Sequence, residues 1–343
     1  MPVKFSPHSV PIPLVLIVMV IVLGISCIAS LTVGSRANSL ADGLQSILPG
    51  LRDDEGAGEL AVIIRTLRIP RTIVAVLAGI ALGAAGALMQ GYTRNALADP
   101  GILGINAGGA FGVVAVVFFG VAETPAEYVW AALAGCLCAT LVVFAVSSTG
   151  KMAANPLSVI LAGVALSALL MAVVHGLVLA DFNTLDTFRA WATGSVADRG
   201  WPVIRAVAPL ATVGLLLSLV HGRALNALSL GGDVATSLGV PVARYRGLGM
   251  ITIACLGGAA TAAAGPIHFI GLAAPHMVRG ILGVDYRLLV PAAALVGGIL
   301  ALWADMLGRL IARPGELEMG LVLALFGVPF FIALVRRNKV VAL

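Results

Sequence analysis

Charge is scarce in this chain. Of its 343 residues, 11% are Asp, Glu, Lys or Arg, where soluble domains carry roughly a quarter. So little charge cannot keep most of a surface in water, which excludes a soluble enzyme. Aromatic residues reach only 6%, and no basic stripe interleaves with them, so the net charge of +5 does not point to nucleic acid. Basic residues instead border apolar runs, where they face anionic lipid and set topology. Cysteine is sparse too. Cys27, Cys136, Cys138 and Cys255 all lie in apolar stretches and read as small core residues rather than disulfides or metal ligands.

What is abundant is hydrophobicity, at 60% of residues and a mean hydropathy of +1.06. A membrane helix needs about 20 apolar residues to cross roughly 30 Å of hydrocarbon. Segments of that kind fall at about 11–33, 67–90, 102–120, 127–148, 157–180, 203–220, 246–264, 268–283, 288–310 and 318–335. Ten spans leave room for loops and none for a soluble catalytic domain, so residues 1–343 read as one transmembrane unit. The first span reads as an uncleaved helix rather than a signal peptide, because Gly24 precedes Ser26-Cys27 where a lipoprotein box wants Leu. Residues 34–64 form a polar, acidic external loop. An even number of spans puts both termini on one side, and the cluster of Arg336, Arg337 and Lys339 favours the inside.

Forty-one glycines suit helix packing in lipid, where small residues let backbones approach. Gly79-x-x-x-Gly83, Gly104-x-x-x-Gly108-x-x-x-Gly112 and Gly297-Gly298 are such notches. Between the sixth and seventh spans, residues 221–242 are too long for a tight turn. Asp233 can cap or begin a short helix and Gly239 can stop it. Its apolar face of Val234, Ala235 and Leu238 calls for a protein partner or the membrane surface.

Several blocks resemble the FecCD family, the permease subunits of binding-protein-dependent ABC importers for iron–siderophores, haem and cobalamin. They are Arg68-Ile69-Pro70-Arg71-Thr72, Gly86 to Gln90 with Thr93 to Gly104, Leu225 to Val240, Gly265 to Leu272 with Pro275 to Arg279, and Arg313 to Leu317. The resemblance covers about 65–340 and is nearest in flavour to iron–catecholate siderophore permeases. Ala96, His268 and Glu318 depart from the pattern, where Pro, Gly and Pro are usual.

The resemblance implies an all-α polytopic membrane protein of the type II ABC importer architecture. It implies a second permease, as homodimer or heterodimer, two copies of a cytoplasmic ATPase and an external substrate-binding protein. Arg68, Arg71 and Arg309 match positions that dock the binding protein's carboxylates. Asn95, Leu97 and Asn155 match the cytoplasmic gate of the pathway. Leu230, Gly231, Asp233, Val234, Ala235, Leu238 and Gly239 match the ATPase-coupling segment. The residues alone allow another role for Arg309: Asp305, four residues earlier on the same helical face, can neutralise it within the membrane. His175, His268 and His276 read as packed or capping residues, since no metal-ligand spacing appears.

Ser148-Thr149-Gly150-Lys151 is not a phosphate loop, because Met152 follows the Lys and Ala145 replaces the leading Gly. No cofactor is expected on this chain; ATP and Mg belong to the partner ATPase. The sequence thus points to a ferric-siderophore permease of a bacterial cytoplasmic membrane. A haem or cobalamin permease is the near alternative. An ion-coupled secondary transporter is the distant one, for which only Asp305 offers an intramembrane acid.

Overall fold

Small residues decide how this bundle closes. The computed structural model describes residues 11–33, 62–148 and 156–336, and among them every regular element is helical. Ten apolar helices match the ten expected segments: α1 (Ile12–Thr32), α2 (Ile69–Thr93), α3 (Ile105–Phe118), α4 (Pro125–Ser147), α5 (Pro156–Ala180), α7 (Trp201–Val220), α10 (Val242–Ala264), α11 (Ile270–Leu282), α12 (Tyr286–Ile311) and α13 (Met319–Arg336). Three shorter helices connect them: α6 (Phe182–Ala192), α8 (Gly222–Ser229) and α9 (Gly232–Ser237). A π-helical turn, Ile64–Arg68, runs directly into α2.

Helix α2 is the axis of the molecule, buried along most of its length against α10, α11 and α12. The expected notches meet there: a methyl on Gly79 would overlap the Gly297 carbonyl, and one on Gly83 the Ala293 carbonyl. On α3, Gly108 and Gly112 likewise lie against the backbone of Gly135 and Ala131 on α4. Helices α1, α5 and α13 show broad apolar faces outward, as lipid requires.

Two of the apolar helices do not cross the bundle. At 1.5 Å per residue, α3 and α11 are only about 21 and 20 Å long. Both begin at depth. Ile105 lies against Gly257 midway along α10, Asn106 accepts a 3.0 Å hydrogen bond from Thr261 Oγ1, and Gly271 abuts Gly86. The chain therefore re-enters through residues 94–104 and again through 265–269. Asp99 holds the first re-entry as cap of a 3₁₀ turn, Pro100–Leu103, accepting the Gly101 N–H at 2.8 Å. Its other oxygen lies beside Gly271, where an added Cβ would come within 3.2 Å. That carboxylate thus caps the 3₁₀ turn leading into α3 and lies beside the first turn of α11, where a helix dipole favours negative charge. In sequence Asp99 falls between the expected spans 67–90 and 102–120, as a loop acid would; the structure carries it into the bundle.

Candidate translocation pathway and docking surfaces

At the end of the bundle where α2 begins, α1 stops at Thr32 with its last carbonyls unsatisfied. Arginines from two other helices satisfy them. Arg68 donates to the Leu31 and Thr32 carbonyls at 2.8 and 3.1 Å. Arg309 donates to the carbonyls of Ser30 (3.0 Å) and Val33 (2.6 Å), to Ser30 Oγ (3.0 Å), to Asp305 Oδ2 (2.8 Å) and to the Asp305 carbonyl (3.4 Å). Arg71 reaches Asp305 Oδ1 through two nitrogens at 3.0 and 2.8 Å, and Glu316 at 2.6 Å. Two guanidinium groups and two carboxylates form a balanced cluster, which is how charge is tolerated at depth.

This geometry redistributes the expected docking residues. Arg309 is 2% exposed, and all five of its N–H donors are engaged, so it has nothing to offer an external carboxylate. Its role is to close α1 onto α12. Arg71 is mostly enclosed by Asp305 and Glu316. Arg68 is half-buried, and among the described residues its Nε and second terminal nitrogen have no hydrogen-bond partner. Arg65, one turn earlier, is exposed; it lies outside the Arg68-to-Thr72 block, so no motif singles it out. Beside Arg71 lies a hollow of about 500 Å³ lined by Asp198, Arg199 and Glu316.

Midway through the bundle, between the two re-entrant segments, lies a cavity of about 650 Å³. Asp99, Asn106, Ser167, Phe188, Trp191 and His268 contribute to its wall. His268 is exposed there rather than packed. The segment that carries it is unusual: Gly265 and the non-glycine Phe269 have φ of 77° and 71°, a left-handed conformation that side chains rarely adopt. His175 is also exposed, while His276 is half-buried. The Trp191 indole N–H is buried without a partner among the described residues.

At the opposite end of α2, Arg94 takes a left-handed conformation (φ 49°) and stops the helix. Asn95 Oδ1 then accepts the Leu97 N–H at 3.0 Å, a side-chain turn that Asn favours. Both residues are exposed, Leu97 by 37%. Asn155 lies outside the described residues.

Near the same end, α8 and α9 form the segment read as 221–242. Gly231 (φ 124°) opens α9, and Gly239 (φ 80°) closes it. The Gly239 and Val240 N–H groups bond to the Thr236 and Ala235 carbonyls at 2.9 and 3.0 Å, a Schellman stop. Asp233 lies in the first turn rather than at the cap, which Gly231 occupies. The apolar face also needs correction. Ala235 is fully buried, whereas Leu230, Val234 and Leu238 are 64%, 44% and 63% exposed. The outward face is therefore Leu230, Val234 and Leu238, with Ala235 packed inward as the foot of the helix.

The chain resembles known proteins in sequence and in fold. Residues 20–337 match the model of the FecCD transport family. The chain is 44% identical over 277 residues to the ferric enterobactin transport system permease protein FepD of Escherichia coli, covering 80% of this chain and 82% of that one. It is 36% identical over 324 residues to the Fe(3+)-citrate import system permease protein YfmD of Bacillus subtilis, covering 94% and 93%. A solved ABC transporter of metal-chelate type, in an inward-facing conformation, superposes with a TM-score of 0.83 at 27% identity, covering 95% of this chain and 99% of that one. With a helical bundle, re-entrant half-helices and a family match along nearly its whole length, this chain belongs to the FecCD transport family.

Proposed function

We propose that the chain is the membrane permease of an ATP-driven importer that carries a ferric siderophore into a bacterial cell. The observation that carries this reading is the exposed face of Leu230, Val234 and Leu238. It lies at the end of α2 opposite the arginine cluster, where an apolar surface of this kind fits a protein groove. That occupant is an ATPase, two copies serving a pair of permeases, the second permease being this chain or a paralogue. The termini and the α8–α9 end then face the cytoplasm, and the arginine end faces out. There Arg68, with Arg71 behind it, receives carboxylates of a substrate-binding protein. Substrate passes the central cavity and leaves by the Asn95 and Leu97 corner, with Asn155 as the expected second constriction. The siderophore assignment follows the names of the relatives, and haem and cobalamin permeases are also among them.

An ion-coupled mechanism finds less support. Asp305 is held by two arginines, so it is not free to bind a coupling ion. The test is reconstitution in proteoliposomes with the partner ATPase and binding protein. ATP-dependent accumulation of iron-labelled siderophore is expected. Uptake that ignores ATP and follows a proton or sodium gradient would overturn the importer reading, and uptake of haem or cobalamin alone would overturn its cargo.

A further inference from the structure

The junction between α7 and α8 is a single buried histidine. His221 is 2% exposed, ends α7 and precedes α8. Its Nδ1 lies 2.6 Å from Tyr92 Oη on α2, and its Nε2 lies 3.0 Å from Thr252 Oγ1 on α10. The direction of each bond can be deduced. Thr252 donates its hydroxyl hydrogen to the Leu248 carbonyl at 2.8 Å, so towards His221 it accepts. Nε2 therefore carries the imidazole hydrogen, Nδ1 is the acceptor, and Tyr92 donates to it. Among the described residues no carboxylate touches the ring; its ring neighbours are Tyr92 and Tyr245, each nearly perpendicular to it. Burial holds its pKa below the ordinary histidine value, consistent with the neutral tautomer.

Tyr92 stands three residues before Asn95 and five before Leu97. It is wedged on its far side against Gly249 of α10, where any side chain would strike its ring. The His221 carbonyl accepts the Leu225 N–H at 2.9 Å, the first helical hydrogen bond of α8, so the residue that carries the ring begins that helix. One side chain thus connects α8, the last turn of α2 that leads into the Leu97 corner, and α10. We propose that His221 is the positioning residue that transmits movement of the α8–α9 segment to the Leu97 gate through Tyr92, with Thr252 fixing the imidazole tautomer.

This proposal rests on the importer reading above, and its test separates the two. The permease is expressed with its ATPase and binding protein, and assembly, ATP hydrolysis and uptake are measured together for Tyr92→Phe, Thr252→Val, His221→Leu and His221→Gln. Gln retains one acceptor and one donor, as the neutral imidazole does. Tyr92→Phe, Thr252→Val and His221→Leu should assemble and hydrolyse ATP, while siderophore moved per ATP falls by roughly five- to tenfold, the factor one buried hydrogen bond is worth. His221→Gln should restore most of the ratio. Wild-type uptake per ATP in both Tyr92→Phe and Thr252→Val would overturn the relay. So would parallel loss of assembly and hydrolysis in every variant, because the network would then serve folding alone. A wild-type complex that itself shows no ATP-dependent uptake would instead remove the importer reading.

Discussion

Asp305 holds two arginines that approach it from opposite directions in the sequence. Arg309 comes from the next turn of α12, and Arg71 from 234 positions away on α2. Removing the carboxylate leaves two buried cations with one carboxylate, Glu316, between them. Breaking a buried ion pair from one side costs about 3–5 kcal/mol. Asp305→Asn should therefore lower the thermal midpoint of the purified permease sharply, and Glu316→Gln, at a partly exposed site, should lower it much less. Equal midpoints for the two variants would show that the cluster carries no such weight. The Asp305–Arg309 pair is legible in the sequence because four residues is one helical turn. Arg71 as its third member is not, since nothing local says which face of α2 will meet α12. The same blindness made Arg309 a docking candidate: its motif position is plain in the sequence, but its burial under α1 is a tertiary fact.

The α8–α9 segment is an element whose ends are readable and whose orientation is not. Gly231 and Gly239 stand where the backbone turns left-handed, and spacing alone suggests a short helix between them. Which apolar residues face out depends on packing against the bundle, and Ala235 turned inward. The two faces predict two different failures. Leu238→Asp places a charge in a desolvated contact and should reduce ATPase co-purification while the permease keeps its thermal midpoint. Ala235→Asp buries the charge within the chain and should lower the midpoint itself. If Leu238→Asp co-purifies normally, the outward face meets lipid rather than an ATPase.

The same segment is tied to α12 by a titratable anchor. Asp285 caps α12 and accepts from Asn226 Nδ2 of α8 at 2.7 Å, while Asn226 Oδ1 accepts the Tyr286 N–H at 2.8 Å. Hydrogen bonds from Arg287, with help from Asn226, lower the Asp285 pKa to about 2 from an ordinary 3.8. A depressed carboxylate pKa adds stability that is fully present above the ordinary value and lost as pH falls through the folded one. The midpoint difference between wild type and Asp285→Asn should thus hold steady above pH 3.8 and shrink as pH falls toward about 2. A difference that stays constant through that window would mean that ionisation of Asp285 does not support the anchor.

At the scale of the molecule, the ten apolar segments were legible because lipid imposes length and hydropathy on every span. The two half-length helices were not distinguished from full spans, because hydropathy counts apolar residues and says nothing of the depth at which they start. That is why Asp99 read as a surface acid and the cavity it borders went unseen. In the orientation proposed above, the arginine end is where a binding protein would be selected, and there the exposed cations decide. Among the described residues Arg68 has two nitrogens without a partner and Arg65 is exposed, whereas charge reversal at Arg71 or Arg309 would wreck the Asp305 cluster before it could report on docking. Rim charges act mainly on association rate and are screened over about 10 Å at 0.1 M salt. Arg68→Glu and Arg65→Glu should therefore slow capture of the binding protein by the nanodisc-embedded complex, most strongly at low salt, with thermal midpoints near wild type. A carboxylate-to-lysine change on the binding protein should recover part of the Arg68→Glu loss. The measurement is the association rate at two salt concentrations, and it has a clear negative. If both reversals associate at the wild-type rate at low salt, these arginines do not receive the binding protein, and Arg68 keeps only its role as the cap of α1.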